Sequence, residues 1–150
     1  MKRTVTSFFD KEYLEYAKYV VENRAIPSCI DGLKPTQRKV VYIANKPKIL
    51  LLRGVESSMV GMAQKFKNSL PLLEGIGQFG SLRSPSAGAP RYISAKLHPN
   101  FRLLYQDFEL LDNKIEEGER IEPEHFLPIV PTVILNGTSG IAVGFATNIL

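Results

Sequence analysis

The chain is poor in the residues that carry most enzyme chemistry. One cysteine, Cys29, stands among 150 residues, so neither an intrachain disulfide nor a cysteine-based metal site can form. A single thiol also fits a reducing compartment. His98 and His125 are the only histidines, and neither belongs to an HExxH or Cys/His zinc pattern. Walker A and GxSxG sequences are absent, and "GIGQFG" lacks the context of a dinucleotide fingerprint. The acids at 116–124 have no fixed metal-ligand spacing. No apolar run approaches the length of a membrane span. Met1-Lys2-Arg3 leads into polar Thr and Ser rather than an apolar h-region, so no signal peptide is expected. There is no internal repeat and no low-complexity segment.

What is present is a hydrophobic content of 44%, enough for one modest core or two small subdomains. The net charge of +4 permits a nucleic-acid partner without demanding one. The charge is unevenly spread. Residues 24–53 hold Arg24, Lys34, Arg38, Lys39, Lys46, Lys48 and Arg53 against one acid, Asp31. Residues 107–124 run the other way, with Asp107, Glu109, Asp112, Glu116, Glu117, Glu119, Glu122 and Glu124. Two readings stay open: a polarised surface, or two ordinary solvated faces.

Helices come first. Residues 7–23 repeat Tyr13, Tyr16, Ala17, Val20 and Val21 at helical spacing, with Ser7 and Asp10 as a capping box. Pro27 and the Asp31-Gly32 turn separate it from a second helix that opens at Pro35, runs to about Ala44 and stops at Pro47. A third is expected over 55–67, with Lys65 and Lys67 in its last turn. Residues 70–89 read as a glycine-rich loop or hairpin. A strand is expected at 90–97, then a short helix from Pro99 with Phe101, Leu104 and Tyr105. The acidic segment reads as a surface insertion, and "FLPIVPTVIL" as a buried extended run at a sheet edge. The whole is α+β. A basic second helix also suits a helix-turn-helix or winged-helix reader, or a plain helical core.

In "SAGAPRYISAKL", the expected strand turns Tyr92, Ser94 and Lys96 to one face and Ile93, Ala95 and Leu97 to the other. A phenol is a poor nucleophile at neutral pH. Cationic neighbours such as Arg91 and Lys96 favour its ionised form and attract an anionic electrophile such as a phosphodiester. A plain surface tyrosine on an edge strand fits the same residues.

Four ordered blocks decide further. "RAIPSCIDGLKPTQRKVVY", "MVGMAQKF" with "PLLEGIGQFGS", "SAGAPRYISAKL" and "LPIVPTVILNGTSGIAVGFATNI" follow one another from about Ser7 to Leu150. In that order they resemble the DNA breakage-reunion region of the type II DNA topoisomerases. The details are closest in style to the A-type chains of gyrase and topoisomerase IV and to the T-even phage medium subunit. The resemblance implies that Tyr92 attacks a backbone phosphorus and becomes linked to the 5′ end of the cut strand, with Arg91 stabilising charge on the phosphate. It implies that Arg24, Lys34 and Arg38 line the cut DNA and that Ile141 wedges between base pairs to bend it.

The same resemblance implies the architecture. Residues 1–97 would be a shortened winged-helix-like domain, with an internal deletion near 45–54 where the family's "YHHG"-type motif is missing. Residues 98–150 would begin a tower-like domain that stops short. Mg²⁺ and ATP would be bound by a partner ATPase/TOPRIM subunit, not by this chain alone. The other expected partners are double-stranded DNA and a second copy of the chain, with no membrane. The expected location is cytoplasmic, or the host cytoplasm if the gene is a phage's. The alternative function is a non-catalytic DNA-binding remnant of such a subunit.

Overall fold

The computed structural model describes residues 5–46 and 55–149. N-terminal helices precede three small antiparallel sheets, with short helices between the sheets, so the arrangement is α+β. The first helical stretch alternates α-helix (α1, Val5–Ser7; α2, Leu14–Val20) with π-turns at Phe8–Tyr13 and Val21–Ala25. Ser7 lies within α1 and is followed directly by further helix, so it does not stand ahead of a helix as a cap. Of the expected apolar stripe only Ala17 and Val20 are buried; Tyr13 and Tyr16 are exposed.

Helix α3, Pro35–Ala44, has the expected bounds. Pro35 sits at its first turn, where a missing N–H costs nothing. The Gln37 side chain accepts from the Lys34 N–H (2.9 Å) and closes that end. Its Val40, Val41 and Ala44 face inward. The expected stop at Pro47 lies outside the described residues. Helix α4 is shorter than predicted, Glu56–Ala63, because Gln64 turns extended (ψ 107°) and buries its amide under the next loop. Lys65 and Lys67 therefore lie beyond the helix.

Strand β1 (Leu73–Ile76) pairs with β2 (Ser94–Leu97), with Leu73 opposite Leu97 and Ile76 opposite Ser94. Helix α3 packs on α4 and β2, and α4 on β1. The core gathers Val40, Val41, Met59, Met62, Leu73, Ile93, Ala95, Phe101, Leu104, Tyr105 and Phe126. Short helix α5, Pro99–Leu104, contributes Phe101, whose ring meets those of Tyr105, Phe108 and Phe126 at 4.8–5.9 Å. Such offset and edge-on pairs add to burial.

The acidic segment forms a largely exposed hairpin, β3 (Asn113–Glu116) and β4 (Glu119–Pro123). Glu122 is buried and pairs with Lys39 at 3.7 Å, so one acidic residue closes on one basic residue of the opposite run. Lys114 beside Glu124 (2.9 Å) holds that carboxyl below the usual carboxylate range. "FLPIVPTVIL" is not a buried strand. Pro128 and Pro131 offer no N–H for a ladder, and the chain instead forms helix α6, Thr132–Asn136. Within the segment Phe126 and Thr132 are buried, whereas Leu127, Ile129, Ile134 and Leu135 are exposed. The glycine-rich end forms a third hairpin, β5 (Thr138–Ile141) with β6 (Ala146–Ile149).

Candidate nucleic-acid interface

Tyr92 does not lie on a strand. Pro90 fixes its own φ and lacks an N–H, and Pro90–Tyr92 forms a 3₁₀ turn closed by Tyr92 N–H to Ala89 O (2.9 Å). The strand begins two residues later. Ile93, buried in the core, anchors the turn from below. On the other side Gly77 (φ +107°) faces the Tyr92 carbonyl, and a Cβ there would sit 2.8 Å from that oxygen. Only glycine permits this approach. Tyr92 itself is 72% exposed. The Arg91 guanidinium lies 4.9 Å from the ring centroid, a cation–π contact worth about 0.5–1 kcal/mol at the surface. Lys96, expected as the second cation beside Tyr92, pairs across the sheet with Glu74 at 3.1 Å. Arg91 is the cation the fold sets against the phenol.

The other expected residues gather elsewhere. Lys34 Nζ donates to Ser139 O of β5 (2.7 Å). Gly140 packs its backbone directly onto the Ala25 carbonyl, where a Cβ would collide. Arg24, one residue earlier, is exposed. These contacts bring the segments of Arg24 and Lys34 against the β5–β6 hairpin that carries Ile141. Ile141 is 88% exposed. A large aliphatic side chain held in solvent at a hairpin end is the shape an unstacking wedge requires.

Arg38 departs from expectation. It is 5% exposed, and its Nε and Nη2 donate to the two Asp31 carboxylate oxygens at 2.7 and 3.0 Å. Nη2 also donates to Leu33 O. Its planar fork suits this bidentate pair better than a flexible contact to the duplex. Asp31, wholly buried, also accepts from the N–H groups of Leu33 and Phe126, while its carbonyl accepts from the Thr132 hydroxyl (2.8 Å). It therefore ties the loop before α3 to residues nearly a hundred positions on. The sequence shows Asp31 only as half of a turn; its one signal is being the lone acid in a basic segment.

A family profile for the DNA gyrase/topoisomerase IV A-type chain matches residues 53–150. The chain is 42% identical over 170 aligned positions to the DNA topoisomerase medium subunit of Enterobacteria phage T4, covering 99% of this chain and 38% of that protein. It is 40% identical to DNA topoisomerase 2 of Crithidia fasciculata, covering 97% of this chain and 14% of that protein. The mitochondrial DNA topoisomerase 2 of Dictyostelium discoideum is 39% identical, with 97% and 13% covered. The chain belongs to the type II DNA topoisomerase A/medium-subunit family. It spans well under half the length of these relatives. The alignments are also longer than the chain, so they contain gaps within it.

Membership of this family invites a test for Mg²⁺ near the tyrosine. From Gly75 to Gln106 the chain has no acidic residue, while Glu74 is engaged by Lys96. Among the described residues no three His, Cys, Asp or Glu converge. A hard divalent cation takes oxygen ligands, and the cationic surroundings of Tyr92 in this topoisomerase chain do not fit one.

Proposed function

We propose that the chain is the DNA cleavage-religation part of a type II topoisomerase and that Tyr92 is its nucleophile. The observation that carries this reading is the exposed Tyr92 phenol, braced by Gly77 and Ile93 and faced by Arg91. Its Oη attacks a backbone phosphorus. The bond from phosphorus to the 3′ oxygen breaks, that oxygen leaves with a proton, and a tyrosyl 5′-phosphate remains. Resealing is the reverse displacement. Arg91 holds the phosphate and offsets charge that grows in the transition state. Arg24 and Lys34 contact the duplex backbone and Ile141 unstacks a base step.

In this reading residues 1–97 form a shortened winged-helix-like domain, and 98–150 begin a tower-like one. A deletion near 45–54 would account for gaps of the kind the alignments contain. They also favour a second reading, a DNA-binding remnant that no longer cuts. One nucleophilic tyrosine per chain, Tyr92, means that cutting both strands takes two copies, related by a two-fold axis. Mg²⁺ and ATP belong to a partner ATPase/TOPRIM subunit, and the reaction takes place in the cytoplasm that holds the DNA.

The test mixes the chain with that subunit, Mg²⁺ and supercoiled plasmid, and traps covalent protein–DNA adducts in detergent. Tyr92→Phe abolishes the adduct and spares non-covalent binding. An adduct that survives, or that maps to Tyr42 or Tyr105, removes Tyr92 from this role. No adduct from the unaltered chain selects the remnant. Arg91→Ala lowers the cleavage rate on the order of 10²-fold or more, with a smaller effect on affinity.

A further inference from the structure

We infer that the loop between Phe79 and Pro90 is a second duplex-contacting element, in which Leu82 and Arg83 grip the DNA beside the segment that Tyr92 attacks. The inference rests on DNA being the ligand proposed above, and it concerns residues outside that proposal.

The loop is built rather than slack. Gln64, 2% exposed at the end of α4, donates its side-chain amide to Phe79 O (2.8 Å) and Pro85 O (2.9 Å). One buried side chain thus fastens both flanks. Gly88 N–H donates to Gln78 O (2.8 Å) and Gly80 N–H to Gln78 Oε1 (3.0 Å). At the tip, Ser81 and Ser84 exchange both backbone hydrogen bonds, at 2.8 and 3.1 Å. That reciprocal pair encloses two residues, Leu82 and Arg83. Turn corners favour Gly, Asn, Asp, Pro and Ser. Here the corner is a leucine, 81% exposed, next to an exposed arginine.

A solitary exposed leucine needs no explanation. This one has three further attributes. Its loop is fixed by hydrogen bonds at both flanks and at the tip, an ordering that costs conformational entropy. It is paired with a cation in a stretch, residues 75–106, that holds Arg83, Arg91, Lys96 and Arg102 and no acid. The loop's base also abuts the tyrosine segment: Gly77 packs on the Tyr92 carbonyl, and Gly88 lies beside Gln78 and Ile93. Whatever sits on Tyr92 sits close to the base of the loop. An apolar side chain beside a guanidinium matches the edge of a DNA groove, where apolar sugar faces alternate with anionic phosphates. Arg83 takes a phosphate and Leu82 lies against the adjoining sugar and base edge.

Titrating the full chain into a fluorescein-labelled duplex oligonucleotide, by anisotropy over a range of salt concentrations, tests both contacts without requiring cleavage. Arg83→Ala reduces the slope of log affinity against log salt by about 1, and Arg83→Lys restores it. Leu82→Ala leaves the slope alone and weakens binding roughly fivefold at every salt concentration, the signature of a lost apolar contact. Both residues are exposed, so circular dichroism is expected to show unaltered folding. A slope that Arg83→Ala does not change, or an affinity that Leu82→Ala does not change, overturns the inference. Failure of the cleavage reading looks different: no Tyr92 adduct, with both binding effects intact.

Discussion

Burial pushes the Tyr105 hydroxyl up to about 12, with the Thr132 hydroxyl acting in the opposite sense. Its folded value lies above the ordinary phenol value of 10.0, so the folded chain keeps the proton longer than the unfolded chain does. The stabilisation is complete below pH 10 and is lost as pH rises from 10 towards 12, amounting to about 2–3 kcal/mol. Urea unfolding at pH 9 and pH 11 checks this, and Tyr105→Phe flattens the difference. Asp31 and Arg38 make the second case. Asp31→Asn leaves a buried guanidinium without its countercharge, which costs about 3–5 kcal/mol by thermal or urea unfolding. None of these three environments was legible in the sequence. Tyr105 is recognisably apolar in its pattern, but the carbonyl and hydroxyl it meets come from Asp31 and Thr132. Arg38 looks like any base of a basic helix, because nothing local tells which side of the loop its Asp31 partner turns to. By contrast, the exposed Tyr92 and Ile141 were legible as unusual only through the motifs around them; their local spacing fits a surface or core residue equally well.

Elements were readable where their cause is local. Pro35 at the start and Val40, Val41 and Ala44 at helical spacing define α3, and tertiary packing does not alter those bounds. Elements failed where a distant contact competes. Helix α4 stops at Ala63 because Gln64 finds two carbonyls across the loop, at Phe79 and Pro85. The tyrosine strand yields to a 3₁₀ turn because Pro90 cannot donate to a ladder. Helix α6 shows the same dependence from the other side. Its Asn136 accepts from Leu70 N–H (2.8 Å) and donates to Leu70 O (2.9 Å), taking the place of a strand partner for the segment entering β1. Asn136→Ala removes both bonds from a half-buried backbone and is expected to cost about 1–3 kcal/mol. The loss reads as a lower urea midpoint with an unchanged slope, because the exposed area of unfolding stays the same.

At the scale of the whole molecule, the three sheets among the described residues have two strands each, and such pairs are marginal alone. The β1–β2 pair is held by the helices and aromatic rings packed behind it, with Ile93 and Ala95 in the core. The β5–β6 pair is held by Gly140 on Ala25 and by Lys34 on Ser139. The proposed cleavage and wedge groups thus stand on the solvent side of hairpins whose inner sides are fixed, which suits a large external ligand better than a small one in a pocket. The Tyr92 surface is also cationic and lacks carboxylates in its own stretch of chain. In the reading proposed above it receives phosphate, while the divalent cation that phosphodiester displacement by a phenol draws on comes from the partner subunit. The chain alone is therefore expected to bind duplex DNA and to form no adduct with it, at any Mg²⁺ concentration. Two measurements check this independently. Millimolar Mg²⁺ should leave the Tm of the DNA-free chain unmoved, since a ligand that binds only the folded state raises it. Supercoiled plasmid should stay supercoiled with the chain and Mg²⁺, and relax only when ATP and the ATPase/TOPRIM subunit are added. Relaxation by the pure chain would mean that its own residues assemble a metal site on DNA, and would overturn the division of labour between the two subunits.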